Sequence, residues 1–217
     1  MPDALPPFDS ILFVSFGGPE GLDDVIPFLE NVLRGKNVPR ERMLEVAEHY
    51  RHFDGVSPIN QQNRTLIAAL RKELDSLGIE LPIYWGNRNW QPLLPDVLQH
   101  MRDDGRQRGI AFFTSMFSCY SGCRQYRENI HDAQQQVGPG APLIEKVRKG
   151  FNHPLFIAAQ ADLVKSGLQS LQPARRTAAK LLFTAHSIPM TMADNSRYAQ
   201  QLGEACRLVA QQVGHSQ

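Results

Sequence analysis

Short apolar runs alternate along this chain with longer stretches in which apolar residues recur at helical spacing. Each run is too short for an ordinary helix, and polar or turn-forming residues flank it on both sides. Residues 11–16, 81–85, 110–115 and 180–184 are therefore predicted to be strands. Because their apolar character is nearly continuous, we expect both faces to be covered, as in a parallel sheet.

The stretches between these runs have the pattern of amphipathic helices. Helices are predicted over residues 23–33, 40–50, 58–77, 91–102, 124–136, 153–171 and 196–213. A βαβα order indicates an α/β fold with right-handed crossovers. In such sheets ligands bind beyond the carboxyl ends of the strands, so the residues that follow each strand are the candidate site residues.

Composition excludes several classes of protein. The 217 residues carry a formal net charge of +1, which gives no field for nucleic acid or an anionic membrane. No run approaches the ~20 apolar residues of a membrane helix, and the polar start is not a secretory signal. Three cysteines are too few for a disulfide scaffold. We expect a cytoplasmic protein without an integral membrane segment or a nucleic-acid partner.

Two predicted strands end in residues that suit a ligand. Gly17 and Gly18 follow the first strand, where they either let backbone approach a ligand or form an ordinary turn. They fit neither a dinucleotide nor a P-loop motif. Arg88 follows the second strand and offers donors for a carboxylate or phosphate, although a solvated arginine is the common case.

The third predicted strand leads into a loop that is both polar and aromatic. Tyr120 stands there among serines, a mixture that suits a flat and partly apolar ligand. Cys119 and Cys123 have a spacing found in metal sites, but two thiols do not complete a tetrahedral site, and buried thiols are more common.

His186 follows the fourth predicted strand. No Gly-x-Ser-x-Gly elbow accompanies it, so a catalytic serine pair with Ser187 is excluded, and a general base or metal ligand is favoured. His49 and His52 lie three apart but lack the His-Glu-x-x-His pattern, and we interpret their segment as structural.

Taken together, these segments resemble the ferrochelatase family. The motifs occur in sequence order across nearly the whole chain: VSFGGPEG, FLENVLRG, EHYRHFDGVSPIN, YWGNRNWQP, SGCRQYREN, FNHPLF and FTAHSIP. The sequences of these motifs are most similar to those of the bacterial branch, which metallates coproporphyrin III rather than protoporphyrin IX. The resemblance implies an enzyme of haem biosynthesis, a lyase that inserts Fe²⁺ into a porphyrin.

The resemblance also implies a fold of two similar lobes. Each is a three-layer α/β/α unit with a four-stranded parallel sheet, and the porphyrin lies between the lobes. Residues 8–150 correspond to the first lobe, and residues 151–217 to the start of the second, including the strand before His186. The rest of that lobe, with the family's catalytic glutamate, is expected beyond residue 217.

Site residues follow from the same resemblance. His186 matches the active-site histidine, as base or metal-proximal ligand. Phe16 takes a position that holds Tyr or Met in relatives, so axial coordination from that face is not expected. Arg88 and Asn89 match a pair near the opposite face of the ring, and Ser57 matches a loop at the porphyrin rim.

Some features depart from the family or leave alternatives open. Asp54 replaces a common glycine and Arg51 a usual aromatic residue, both near the porphyrin rim. Some relatives hold a [2Fe–2S] cluster, which needs three cysteines from a C-terminal tail that this sequence does not contain. A non-catalytic porphyrin-binding fragment or pseudoenzyme is the alternative function, and a cobalt or nickel chelatase is a third. The oligomeric state is not predicted.

Overall fold

The centre of the structure is a parallel sheet built around the first predicted strand. In the computed structural model, which describes residues 5–215, β1 (Ser10–Ser15) is buried over its whole length. It pairs in parallel with β2 (Ile83–Asn87) and β3 (Arg108–Phe113). A further strand, β4 (Leu143–Lys146), pairs with β3, which gives the order β2-β1-β3-β4. The predicted α/β fold with a four-stranded parallel sheet is confirmed.

Five helices accompany this sheet. Their bounds are α1 (Leu22–Leu33), α2 (Arg40–Arg51), α3 (Ile59–Ser76), α4 (Leu94–Asp103) and α5 (Gln125–Val137). Leu12 and Val14 of β1 pack on α4 and α5 in one apolar core. The intervening Phe13 is also fully buried, so the opposite face is covered as well. Because the chain moves from β1 to β2 in one direction and then back to β3, right-handed crossovers place α3 on that opposite face.

The chain divides into two compact units. One comprises the residues up to Thr114 together with Tyr126–Val147, and it contains the sheet. The other comprises Ser115–Gln125 and the residues from Arg148 onward. The predicted lobes, residues 8–150 and 151–217, remain a prediction.

The regular elements of the second unit are all helical in the described part of the chain. It contains a π-helical turn (Tyr120–Arg124) and the helices α6 (Pro154–Ser170), α7 (Pro173–Arg176), α8 (Met190–Asp194) and α9 (Tyr198–Gln212). Its core joins Ile157 and Ala161 of α6 to Ala205 and Val209 of α9. The rings of Phe117 and Phe156 pack edge to face at its side.

Two sequence predictions need correction. The strand predicted over residues 180–184 does not form: this segment has no sheet partner, and Leu182 is 89% exposed. An apolar run becomes a strand only where another strand supplies hydrogen bonds, and none of the described residues does so here. Conversely, β4 escaped prediction because it is short, lies at the sheet edge and carries Glu145, which pairs with Arg108.

The turn before α3 has an unusual backbone. Asp54 has a φ of 54°, and Gly55 has a φ of 74°. A Cβ on Gly55 would lie 2.5 Å from the carbonyl carbon of Gly21 and from the amide nitrogen of Leu22. The turn therefore packs directly on the backbone that leads into α1.

Replacing Gly55 with alanine tests this contact. Gly55→Ala is expected to lower the free energy of unfolding by on the order of 3 kcal/mol, because left-handed strain adds to a backbone clash. Gly78→Ala is the matched control: its φ is 68°, but a Cβ there meets nothing within 4 Å. The control should cost about 1 kcal/mol.

The measurement is urea unfolding followed by tryptophan fluorescence. Both tryptophans of the sequence, Trp85 and Trp90, belong to the sheet-containing unit and report on it. Equal losses for Gly55→Ala and Gly78→Ala would contradict the tight contact at Gly55.

Candidate functional site

The backbone that leaves β1 is held by hydrogen bonds from two directions. From the end of β2, the Arg88 amide donates to the Ser15 carbonyl at 3.1 Å, and the Asn89 amide donates to the Phe16 carbonyl at 3.1 Å. The Asn89 side chain donates to the same Phe16 oxygen at 3.2 Å. Asn89 is thus a buried support of the Phe16 backbone, a role that the sequence did not indicate.

The beginning of α3 supplies the second set of donors. The buried Asn60 side chain donates to the Gly18 carbonyl at 3.0 Å, and the Ser57 amide donates to the Pro19 carbonyl at 2.8 Å. A Cβ on Gly18 would lie 2.6 Å from the Ser57 Cβ. Gly18 therefore permits the segment after β1 to approach the turn before α3 closely. A glycine is needed here for packing within the protein, which agrees with the interpretation of Gly17 and Gly18 as an ordinary turn.

The start of α3 is shifted by one residue from the prediction, which placed a helix over residues 58–77. The helix instead begins at Ile59, and the Ser57 hydroxyl accepts from the Ile59 amide at a long 3.5 Å.

Arg88 lies between two aromatic rings. Its guanidinium carbon is 4.7 Å from the Tyr126 ring centroid and 5.6 Å from that of Phe16. Its Nε donates to the Asn129 side-chain oxygen at 2.8 Å. Such cation–π contacts hold a guanidinium in a defined plane. Arg88 is an ordered part of this site and not a solvated surface arginine.

Phe16 connects this arrangement to an aromatic cluster. The ring of Phe28 lies edge to face with Phe16, Tyr50 and Trp90, at centroid distances of 6.2, 5.8 and 6.3 Å. Edge-to-face packing is a favourable geometry for aromatic rings. The residues after β1 and β2 are thereby joined to α1 and α2.

A cavity of about 730 Å³ opens beside this cluster. Its lining is largely apolar and comes from the end of α2 and the turn before α3: Val46, His49, Tyr50, Phe53, Val56, Ser57 and Pro58. The volume lies within the range of small-molecule sites. Of the predicted site residues, the cavity contains Ser57. The segment with His49 was interpreted as structural, because it lacks the His-Glu-x-x-His pattern.

The remaining predicted site residues, Tyr120 and His186, belong to the second unit. Tyr120 is 40% exposed and begins the π-helical turn, a feature frequent at functional sites. Cys119 caps that turn, since its sulfur accepts from the Gly122 amide at 3.2 Å. The Lys149 ammonium binds the carbonyls of Ser115 and Gly122, which fixes the loop.

His186 is exposed, and its ring hydrogen bond defines the tautomer. The Nδ1 atom lies 2.6 Å from the Ser187 carbonyl oxygen. A carbonyl only accepts, so Nδ1 carries the proton, and in a neutral imidazole Nε2 keeps its lone pair. The Tyr198 hydroxyl donates to the His186 carbonyl at 3.0 Å and anchors the backbone. An imidazole held this way presents a base or ligand nitrogen to solvent.

The three cysteines are free thiols. Within residues 5–215, no three Cys, His, Asp or Glu side chains converge. In the same part of the chain, no helix combines the length and apolarity needed to cross a membrane.

Burial raises the pKa of Tyr50 above its usual value near 10. As the pH rises, the Tyr50 hydroxyl therefore loses its proton in the unfolded chain before it does so in the folded one. The contribution of Tyr50 to the free energy of unfolding is complete below pH 10 and decreases as the pH rises further. Above pH 10 we expect the free energy of urea unfolding of the native protein to fall more steeply with pH than that of Tyr50→Phe. Measurement of both proteins at pH 8 gives the baseline, and parallel pH profiles would contradict a half-buried Tyr50 hydroxyl.

The geometry can be compared with known proteins. A family model described as ferrochelatase matches residues 9–217. The ferrochelatase of Rhodopirellula baltica is 70% identical over 212 residues, which are 97% of this chain and 60% of the relative. The coproporphyrin III ferrochelatase of Nocardia farcinica is 49% identical over 95% of this chain and 61% of its own length.

A further relative gives the same coverage. The coproporphyrin III ferrochelatase of Streptomyces coelicolor is 49% identical over 98% of this chain and 58% of its own length. The chain thus spans about 60% of the length of these curated relatives, and the match extends over almost all of its residues. The sequence, the parallel sheet and these matches lead to one conclusion: the chain belongs to the ferrochelatase family.

Proposed function

We propose that this chain supplies the porphyrin-binding surface and the catalytic histidine of a ferrochelatase. The observation that carries the proposal is the apolar cavity at the end of α2 in a chain of this family. Its lining residue Tyr50 is joined through Phe28 to Phe16, which contacts Arg88 and Asn89. A flat macrocycle needs an apolar and aromatic surface, and its peripheral carboxylates need donors.

The substrate metal in this proposal is Fe²⁺, and the reaction removes two pyrrole protons as the metal enters the ring. A neutral His186 can accept such a proton at Nε2, because Nδ1 is engaged with the Ser187 carbonyl. The same nitrogen can instead hold the metal while it loses water. Phe16 offers no ligand atom, so its ring contributes contact area and not coordination.

Coproporphyrin III is the porphyrin we propose, since two of the relatives named above are coproporphyrin III ferrochelatases. Its carboxylates match the charge of Arg88, and Tyr120 and Ser57 offer hydroxyl groups. A cytoplasmic location belongs to the same proposal and is supported by three free thiols, which are typical of a reducing compartment.

A non-catalytic porphyrin-binding function is the second candidate. It is favoured by His186, which is exposed and has no cluster of acidic or metal-ligating residues around it in the described part of the chain. Porphyrin would then bind to the cavity beside Tyr50 without metal insertion.

Replacement of His186 separates these candidates. If the chain is catalytic, His186→Ala should lower the rate of anaerobic Fe²⁺ insertion into coproporphyrin III by about 10² to 10⁴, because a positioned base is lost. Porphyrin affinity, measured by fluorescence titration, should change little. His131→Ala, at an exposed histidine of α5, is the control and should keep the full rate.

Three results are informative. Insertion by the native chain that is lost in His186→Ala supports the ferrochelatase. Porphyrin binding without insertion by the native chain supports the binding function. Insertion at an unchanged rate in His186→Ala would contradict the proposed role of this histidine.

A further inference from the structure

His186 belongs to a stretch of the second unit that has no regular secondary structure. This stretch, the His186 segment, comprises residues 179–189, and most of its side chains are exposed. Exposed backbone outside helices and sheets opens easily, so such a segment does not by itself hold a side chain in one orientation. A defined position of the His186 imidazole therefore depends on contacts from other elements of the same unit.

Tyr198, the first residue of α9, provides such a contact. Its hydroxyl donates to the His186 carbonyl at 3.0 Å, and this carbonyl is part of the peptide group between His186 and Ser187. The imidazole Nδ1 donates to the carbonyl of Ser187 at 2.6 Å. The ring hydrogen bond thus closes a small loop of atoms that contains the peptide group bound by Tyr198. Because the hydroxyl holds that peptide group, it also holds the geometry on which the ring hydrogen bond depends.

The Tyr198 side chain is itself held within the second unit. Its half-buried ring packs edge to face on Phe117, with centroids 6.3 Å apart and planes at 83°. The next residue, Ser118, is bound twice by Gln201, which lies one turn after Tyr198 on α9 and is buried. The Gln201 side chain accepts from the Ser118 amide at 2.7 Å and donates to the Ser118 hydroxyl at 3.1 Å. The Tyr198 hydroxyl is therefore placed by α9 and residues 117–118, and not by the segment that it contacts.

We propose that Tyr198 is a positioning residue for His186: its hydroxyl holds the His186–Ser187 peptide group, so that Nδ1 stays bound to the Ser187 carbonyl and Nε2 stays unprotonated and able to react. The inference rests on the proposed function and extends it to a residue that contacts His186 rather than the substrate. A base acts efficiently only when its lone pair is held in a productive orientation. Loss of the hydroxyl should therefore affect metal insertion more than porphyrin binding.

The kinetic test is Tyr198→Phe, which removes the hydroxyl and keeps the ring that packs on Phe117. Its kcat for anaerobic Fe²⁺ insertion into coproporphyrin III should fall about tenfold, while the KM for the porphyrin changes less than about twofold. Val209→Ala is the control for stability, because it removes buried methyl groups from the core between α6 and α9. The control should keep the native kcat, and an equal loss of kcat in both variants would overturn the proposal.

A second readout needs no turnover. In ¹⁵N NMR spectra of histidine-labelled protein, the protonated and unprotonated ring nitrogens differ in chemical shift, and His186→Ala assigns the signals of this residue. The neutral imidazole of His186 should carry its proton on Nδ1 in the native chain and in Val209→Ala. In Tyr198→Phe the share of the form protonated on Nε2 should rise. An unchanged share would overturn the proposal.

The two readouts distinguish this inference from the proposed function. If the native chain inserts no iron, its catalytic function fails, and the ¹⁵N spectra alone decide whether Tyr198 positions His186. If insertion is lost in His186→Ala but keeps its full kcat in Tyr198→Phe, the proposed function stands and the positioning role of Tyr198 is overturned. Loss of kcat in both variants, with a changed tautomer in Tyr198→Phe, supports both.

Discussion

The hydrogen bonds to the backbone that leaves β1 connect all the features of the sheet-containing unit. The carbonyls of Ser15 and Phe16 accept from the residues after β2, and those of Gly18 and Pro19 accept from the beginning of α3. The central strand is buried on both faces and cannot move to compensate. The positions of Arg88 and Ser57 therefore follow from β1, although they are far apart in sequence.

Under the proposed function, this arrangement offers polar and apolar groups to a planar, anionic ligand. The sheet order 2-1-3-4 has its topological switch point at β1 and β3, beside the segment that begins with Phe16. The aromatic cluster around Phe28 extends from Phe16 to Tyr50, which lines the cavity. The cost of ordering these groups is met during folding, so little reorganisation remains for binding.

The sequence predicted those elements whose formation depends on local pattern. β1, β2 and β3 and the longer helices were found within a few residues, because continuous apolar runs and helical spacing determine them. β4 was missed because a four-residue edge strand with two charged residues has no such pattern. Residues 180–184 have the apolar pattern of a strand, but no strand among the described residues pairs with them. Whether a pairing strand is present depends on tertiary structure and not on the local pattern.

The structure brings three of the predicted site residues, Phe16, Arg88 and Asn89, into contact with one another. The sequence could not indicate that Asn89 supports the backbone or that Asn129 binds Arg88, since both are contacts between distant segments. Tyr50 and Phe53 were not predicted as site residues, because a cavity lining and a helix core have the same composition. The substrate roles of all the predicted site residues remain predictions.

Hydrogen exchange of the backbone amides, with and without coproporphyrin III, tests the central claim most directly. If the porphyrin binds at the cavity and the Arg88 group, exchange should slow in residues 46–58, 16–19 and 88–90, while the exposed end of α3 is unchanged. Protection that appears only outside these segments, at porphyrin concentrations where binding is saturated, would contradict the account.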